Sequence, residues 1–416
     1  MPAPRGPDDT KCGITIGDSH AHRRLVLKKD TAHWLLPSTL VVVLVMVALL
    51  TAPATLQSPP AEAAEAAEPE SFLPAIILPA GEDPFIVATG DINGDSFPDI
   101  IAANHRSGTV SVLINNGDGT FIDTPQYPSG QGTFGLALAD IDGDRDIDVM
   151  VTNQASGTLS VLYNRGDGML ESRTDLPAGG SPHTVTVADL NSDSLPDLVV
   201  PNYQVGTVSV FLNLGDGRFS DRAVFPTNEA PFCALAVDVD SNGIPDLITT
   251  SYRDGFMDVM WNDGDGGFAM RSTYEIGGSL WSVSSADLNG DAAPDLVVTQ
   301  YASGAITVLL NSGDGSFEGA VDYQTEETGP CWAATLDVDG DGDIDIAAVD
   351  ASAHSLSVLL NDGEGRFTAS EKFATGGRGP SSLAAADFDG DGRDDLVVAH
   401  WESNNMAVFL NRMTAQ

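Results

Sequence analysis

Asp387-Phe-Asp-Gly-Asp-Gly-Arg-Asp-Asp395 is one of seven near-copies of a nine-residue stretch whose reading decides the fold of this chain. An Asp opens the stretch, an Asp or Asn stands at position three, an acid or amide at position five, and an Asp closes it at position nine. The copies begin at Asp91, Asp140, Asp189, Asp238, Asp287, Asp337 and Asp387, spaced by 49 residues four times and then 50 twice. So regular a period marks an array of like structural units. A second landmark, Asn-x-Gly-(Asp/Glu)-Gly-x-(Phe/Leu), follows at Asn115 (with one extra Asn), Asn164, Asn213, Asn262, Asn311 and Asn361; after Asn411 the chain stops before the landmark is complete.

The missing piece stands at the other end. The landmark aromatic or Leu precedes the next Asp stretch by 19 or 20 residues, as at Phe121, Leu170, Phe219, Phe268, Phe317 and Phe367, and Phe72 precedes Asp91 by 19. The segment from Phe72 therefore reads as the last strand of the seventh unit. Complementary half-units at the two ends imply a closed ring, which removes the exposed sheet edges of an open array. Within a unit, short β-rich runs such as Val185-Thr-Val-Ala188, Leu198-Val-Val200 and Thr207-Val-Ser-Val-Phe-Leu212 are separated by turn residues. The Gly-Asp-Gly step suits a hairpin that needs positive φ, and a fourth strand begins at the Phe. Four antiparallel strands per unit in seven units predict an all-β fold: a seven-bladed β-propeller of four-stranded blades over residues 72–411, closed by its N-terminal strand, with 412–416 as a tail.

With 60 acidic and 19 basic residues the formal charge is -41, yet 42% of residues are hydrophobic, which fits a folded chain rather than an acidic disordered one. The first 71 residues hold 6 basic and 8 acidic residues, leaving 13 and 52, or -39, for the repeats. Such a body is a poor partner for nucleic acid or anionic membrane surfaces. Residues 1–33 form a basic lead-in that includes Arg23, Arg24, Lys28 and Lys29; residues 34–54 hold an uncharged stretch with an unbroken apolar centre at 40–50, followed by Ala52-Pro-Ala54. This is the pattern of a signal peptide or of a signal-anchor transmembrane segment. Either leaves the propeller outside the cytoplasm, since the positive flank stays in. The expected location is thus secreted, periplasmic or membrane-anchored, with membrane contact only through this segment. Residues 55–71, rich in Ala, Glu and Pro, read as a linker. Cys12 precedes the apolar stretch, while Cys233 and Cys331 occupy nearly equivalent places two blades apart and read as buried thiols.

Side-chain oxygens at positions one, three, five and nine, with a backbone carbonyl available at seven, make an all-oxygen cage of the kind calcium prefers. Zinc or copper would call for nitrogen or sulfur. The expected ligands, blade by blade, are Asp91, Asn93, Asp95 and Asp99; Asp140, Asp142, Asp144 and Asp148; Asp189, Asn191, Asp193 and Asp197; Asp238, Asp240, Asn242 and Asp246; Asp287, Asn289, Asp291 and Asp295; Asp337, Asp339, Asp341 and Asp345; Asp387, Asp389, Asp391 and Asp395. Asx-turns alone would account for one such loop; seven loops in which 24 of 28 sites are Asp argue for metal, up to seven Ca2+. The spacing differs from an EF-hand, because Ala102, Val151, Val200 and Thr249 stand where its twelfth-position Glu belongs. Asn242, a neutral group at position five, should make the loop at Asp238 somewhat weaker.

The run Ala386-Asp-Phe-Asp-Gly-Asp-Gly-Arg-Asp-Asp-Leu-Val-Val398 followed by Val408-Phe-Leu-Asn411 resembles the FG-GAP/VCBS repeat family, whose relatives include the integrin α-subunit propeller. The resemblance covers residues 72–411. It implies a seven-bladed propeller with calcium in the loops joining the first and second strands of each blade, and it does not imply one activity. The chain departs from the integrin pattern: all seven blades carry the acidic loop, and Phe-Gly occurs only at Phe134-Gly135.

Strand direction places the start of strand one and the end of strand two on the face away from the Asp loops. Six residues before each loop stand Phe85, Phe134, His183, Phe232, Trp281, Cys331 and Ser381, with Trp332 adjacent. Six residues after each closing Asp stand His105, Gln154, Tyr203, Tyr252, Tyr301, Ala351 and Trp401, preceded in five blades by Asn104, Asn153, Asn202, Gln300 and His400. Rings that stack on sugars or grip a protein loop, with amides to hydrogen-bond, would make this the ligand face; packing between blades is the competing reading. The candidate ligand-binding residues are His105, His183, Tyr203, Tyr252, Trp281, Tyr301, Trp332, His400 and Trp401. Arg165-Gly-Asp167 spells an adhesion tripeptide but falls on a turn whose first position varies freely between units. No Ser/His/Asp spacing or paired catalytic carboxylates accompany the histidines, so no catalytic residue is assigned and the protein is not expected to be an enzyme. The expectation is a monomeric, exported, calcium-binding propeller serving as a ligand-binding or adhesion module, its partner a carbohydrate or a protein. The alternatives are a polysaccharide-active, lyase-like enzyme using the aromatic and histidine face, and a protein–protein scaffold.

Overall fold

The computed structural model describes residues 71–325 and 329–413, so the readings made for residues 1–70 and 414–416 lie outside it. The described part has no helix and forms seven sheets, six of four strands and one of five. Each sheet is antiparallel and starts with a strand that runs into an Asp loop, as in Pro231–Val237, Asp246–Ser251, Phe256–Trp261 and Met270–Glu275 of the fourth blade. The first strands of successive blades contact one another around a complete circle, the seventh touching the first. This is the predicted seven-bladed propeller. Closure is as expected: Ile76–Pro79 pairs with Asn405–Phe409, Ile76 opposite Val408, and Phe72 bridges Asn411.

The second strands are buried along their whole length, on both faces, which explains why runs such as Leu198-Val-Val200 show no period-two alternation. The core is divided into seven clusters, one in each gap between neighbouring blades. In the gap between blades two and three, for example, Ile141, Met150 and Val161 meet Val185, Leu198 and Phe211. Fourth strands face solvent, and their starts are less regular than the landmark suggests. They begin at Phe121, Leu170, Phe317 and Phe367 as expected, but at Ala223 and Met270 in blades three and four. In blade three Ser220 Oγ accepts the Leu212 N–H in place of a ladder partner, and Phe219 is left as a single bridge. The outer strand of blade one is split into Phe121–Asp123 and Tyr127–Pro128 around Pro125, which has no N–H to give the ladder.

A feature invisible in the pattern is a register break in the innermost strands. In six of the seven, pairing skips the residue six before the Asp loop: Phe85, Phe134, Phe232, Trp281, Cys331 and Ser381. The seventh, blade three, has only the bridge of Pro182 to Asn202 before the strand Thr186–Ala188. A bulge re-aims the side chain it carries. Gly135 in the Phe-Gly pair allows the close approach of blades two and three, since a Cβ there would sit 2.7 Å from Thr184 Cα.

Candidate functional site

Each Asp loop is fixed by its second residue, which the repeat leaves as apolar: Ile92, Ile141, Leu190, Val239, Leu288, Val338 and Phe388 are all buried beneath their loops. In six blades the N–H of this residue donates to the closing Asp, as Ile92 to Asp99 Oδ2 at 3.0 Å and Phe388 to Asp395 Oδ2 at 2.9 Å. The other oxygen of the closing Asp accepts the N–H of the landmark Asn in all seven blades, at 2.7 to 2.9 Å. The side-chain amide of that Asn then donates to the second-residue carbonyl of the preceding blade's loop. The set runs Asn164 to Ile92, Asn213 to Ile141, Asn262 to Leu190, Asn311 to Val239, Asn361 to Leu288, Asn411 to Val338 and Asn115 to Phe388. The landmark read as a turn signal is thus a staple between blades, and Asn411 supplies the seventh although the rest of its landmark is absent.

Above this floor the opening Asp organises the loop backbone, and the position-five groups accept local N–H bonds, as Asp95 Oδ1 does from Phe97, and join none of the carboxylate clusters found among the described residues. Asp91 Oδ1 accepts the Gly94 and Asp95 N–H groups and its Oδ2 that of Ser96, which wraps the backbone round the carboxylate. In four loops three carboxylates each bring an oxygen within 4.8 Å of the others: Asp140, Asp142 and Asp148; Asp238, Asp240 and Asp246; Asp337, Asp339 and Asp345; Asp387, Asp389 and Asp395. These are the four with Asp at position three, where the others carry Asn93, Asn191 and Asn289. Burial, with the neighbouring loop carboxylates adding, pushes Asp148 up to about 7 and Asp99, Asp246, Asp345 and Asp395 up to about 6.

On the opposite face the bulged rings converge at the mouth of the channel. Phe85 and Phe134 lie 4.1 Å apart by ring centroid, Phe134 and His183 4.6 Å, His183 and Phe232 4.7 Å, and Phe232 and Trp281 4.5 Å. Phe85 also stacks on Trp281 at 6.2 Å, although their blades are not neighbours, so the rings reach across the channel. Trp332, half-buried, touches the clusters of both blades six and seven and blades one and two. Tyr301 stacks on Trp281 at 4.9 Å, Tyr252 meets Trp281 edge-on, and Tyr203 lies parallel to His183 at 4.5 Å with the Arg253 guanidinium 5.4 Å from its centroid.

Most of the candidate ligand residues therefore spend their rings on one another. His183 is 4% exposed and His400 0%, and burial pushes them down to about 3 and about 4, so neither is an accessible acid–base group. The amides are committed too: Asn104, Asn153 and Asn202 are buried and donate to the Ser and Thr hydroxyls of the next strand, while Gln300 donates to Thr307 and Asp322. Expecting them to reach a ligand overlooked the neighbours they already have. His105 remains half-buried, its Nδ1 3.4 Å from Asp83 Oδ2 and its Nε2 3.4 Å from Gln154 Oε1. The hydrogen bond to Asp83 holds its pKa above the ordinary value against the opposing effect of burial. Trp401 differs from the rest in being exposed, at 39%; like Trp332 and His400 it makes no ring contact among the described residues. Arg165 pairs with Asp167 at 2.6 Å and Glu171 at 2.8 Å on an exposed turn. Cys233 and Cys331 are free and buried, as expected.

Six overlapping stretches, 91–151, 140–200, 189–249, 238–298, 287–348 and 337–398, match the FG-GAP-like repeat. The chain belongs to the FG-GAP-like repeat family. No curated protein sequence matches it. Among solved structures it is similar to BBS1N in complex with ARL6DN, at 13% identity and a TM-score of 0.61 over 83% of this chain and 98% of that one. It is also similar to an Agrocybe aegerita lectin that recognises non-reducing terminal N-acetylglucosamine (20%, TM-score 0.53, 80% and 97%). A third is a catalytically inactive virginiamycin B lyase from Staphylococcus aureus with quinupristin (13%, TM-score 0.56, 82% and 99%). At such identities the likeness shows the fold alone.

The FG-GAP-like loops fit a hard divalent cation. All donors are oxygen, and buried Asp246 Oδ2 and Asp389 Oδ1 have no hydrogen-bond partner. A dication would reverse the upward pKa shifts of the closing carboxylates. Sequence reading missed Asp83, Arg106, Arg173 and Arg253 on or beside the aromatic face. The signal available was charge: Arg106 and Arg253 are the only basic residues directly after the turn positions occupied by His105 and Tyr252 and their equivalents.

Proposed function

We propose that this FG-GAP-like protein is an exported, calcium-loaded propeller that binds a carbohydrate or protein ligand on its aromatic face. The observation that carries the reading is Trp401, an exposed indole without a ring neighbour among the described residues, at the turn equivalent to those whose tyrosines pack into the aromatic cluster. The lectin and the BBS1N complex among the similar folds supply precedents for carbohydrate and for protein partners. Calcium is assigned to the loops on donor chemistry, and export rests on the basic lead-in and apolar stretch of residues 1–54.

A broad glycan array probed with the calcium-loaded protein tests the proposal. Selective retention that Trp401→Ala abolishes supports it; a blank array together with no protein captured by the wild-type face, relative to Trp401→Ala, removes it. One observation favours an enzyme instead, the Asp83–His105 pair, which orients an imidazole as a general base would require. New product ends from a bound polysaccharide, lost in His105→Gln, would move the assignment to that class.

A further inference from the structure

Blades one and two line an open, solvent-facing depression of about 560 Å³ at the turn that follows His105. Its floor is backbone of Gly108, Gly130 and Gly132, and its side-chain charges are Arg106 and Arg173. Glycine keeps it open: a Cβ on Gly108, whose φ is +65°, would run into the Gly130 carbonyl oxygen. In a body of net charge -39, Arg106 has no carboxylate within ion-pair distance among the described residues. Arg173 shares Asp175 at 2.9 Å and donates to the Pro128 carbonyl at 3.3 Å, which leaves its remaining N–H groups available. The equivalent of Arg106 in blade four, Arg253, is spent on the Tyr203 ring. Glu82, exposed, contributes its carbonyl to the Arg106 N–H at 3.2 Å, and its carboxylate and that of Asp83, which pairs with His105, are the other charges at this turn.

The turn that carries Trp401 is linked to the pocket by a chain of contacts. The turn of blade seven that carries Trp401 is joined to blade one by Asp83 N donating to Asn404 Oδ1 at 2.8 Å, Asp83 holds His105, and His105 Nε2 lies 3.5 Å from where a side chain on Gly132 would begin. A path over blades seven, one and two thus runs from an exposed indole, past an imidazole, to two guanidinium groups. A neutral sugar could accept hydrogen bonds from the imidazole and guanidinium groups, but only an anionic one would also meet their charge. We infer that the ligand of the aromatic face is an anionic saccharide, with a sugar ring on Trp401 and a carboxylate or sulfate in the pocket of Arg106 and Arg173. Guanidinium groups match both anions with paired, charge-assisted hydrogen bonds. The acidic loops on the far side repel a polyanion and leave this face as the approach. The inference rests on the aromatic face being the binding face.

The test is titration calorimetry of the full calcium-saturated chain with four probes: a heparin hexasaccharide, its desulfated counterpart, a hexagalacturonate and neutral chitohexaose. Binding of at least one acidic probe ten-fold or more tighter than chitohexaose is expected, with Arg106→Gln losing ten-fold or more and Arg106→Lys less. Preference for heparin assigns sulfate; equal binding of hexagalacturonate and desulfated heparin assigns carboxylate. Chitohexaose bound as tightly as the acidic probes, or unchanged binding in Arg106→Gln while Trp401→Ala still abolishes it, overturns the anionic ligand and leaves the aromatic face standing. No binding of any probe by wild type overturns the inference, and Trp401→Ala against the array then decides the face separately. Arg106 is exposed, so its variants should retain the wild-type melting temperature and circular dichroism.

Discussion

Replacing Asn213 by Ala should cost the propeller about 3–4 kcal/mol, a value that follows from what its side chain touches. The residue is 1% exposed. Its Nδ2 donates to Ile141 O in the preceding blade at 2.9 Å and to Pro196 O in its own loop at 3.2 Å, and its Oδ1 accepts the Gly215 N–H at 2.9 Å. Three net hydrogen bonds contribute about 1 kcal/mol each, and stranding the Ile141 carbonyl adds roughly 1–3 kcal/mol. Water reaching the half-buried Pro196 and Gly215 groups recovers part of this. For a body of roughly 340 described residues, unfolding entropy near the midpoint is about 0.7 kcal/mol/K, so the melting temperature should fall by about 5 °C. Asn213→Asp should be worse than Ala at neutral pH, because a carboxylate would face two carbonyls, and should recover on acidification as a protonated carboxyl regains one donor. Asn116→Ala, in the equivalent exposed turn of blade one, should change stability by under about 0.5 kcal/mol. Urea unfolding at fixed calcium measures all three. If Asn213→Ala falls within 1 kcal/mol of wild type, or no further than Asn116→Ala, the staple is not what binds blade to blade.

Chelation of calcium should lower the melting temperature by 10 °C or more, since each site filled to a hundred times its Kd adds about 2.7 kcal/mol; an unchanged melt in EDTA would refute the metal assignment. The seven loops should not be equivalent. Arg412 reaches Asp389 Oδ2 at 2.5 Å and Asp391 Oδ2 at 2.7 Å, so a tethered guanidinium competes for the ligands of the seventh loop. Arg412→Gln should therefore tighten one step of a calcium titration, that of the seventh loop, and an unaltered titration would show that Arg412 does not compete. In calcium-saturated protein, stability should fall as pH drops below 6.5. His400 and His183 are held neutral with pKa values of about 4 and about 3, while the unfolded chain takes up protons at 6.5. Each group contributes a slope of about 1.4 kcal/mol per pH unit between its two pKa values. His400→Gln, which puts in blade seven what Gln300 is in blade five, should remove one such slope; an identical pH profile would show that His400 does not titrate in that window.

Period and end-complementarity made the ring legible, because Asp, Gly and the landmark Asn recur at fixed places whatever surrounds them. The closing strand could be found for the same reason: Phe72 sits at the right distance from Asp91. What could not be read was anything decided across the channel or between blades. Asn164 and Ile92 are 72 residues apart, and nothing local to Asn164 distinguishes a staple from a turn residue. The bulges at Phe85, Phe134, Phe232 and Trp281 depend on how seven innermost strands crowd one axis, so the sequence placed the rings on the right face and left packing between blades against ligand binding open. His400 reads from the sequence as a ligand candidate although it is buried, because its neighbours Ala399 and Trp401 give no sign of which of the three turns outward.

The way the ring is shut also sets how it bears load. Ile76–Pro79 lies antiparallel to Asn405–Phe409, and its hydrogen bonds stand across the strand direction. Tension drawn through residue 71 along that strand would act on those bonds in shear, so that they resist together instead of opening one at a time. Phe72, at the end where the pull enters, is gripped edge-on by Phe373 at 5.1 Å and Phe409 at 6.1 Å. A ligand held on the far face and a tether at the N-terminal end would thus strain the blade built like a clasp, and the joint that completes the circle is also the one shaped to be pulled.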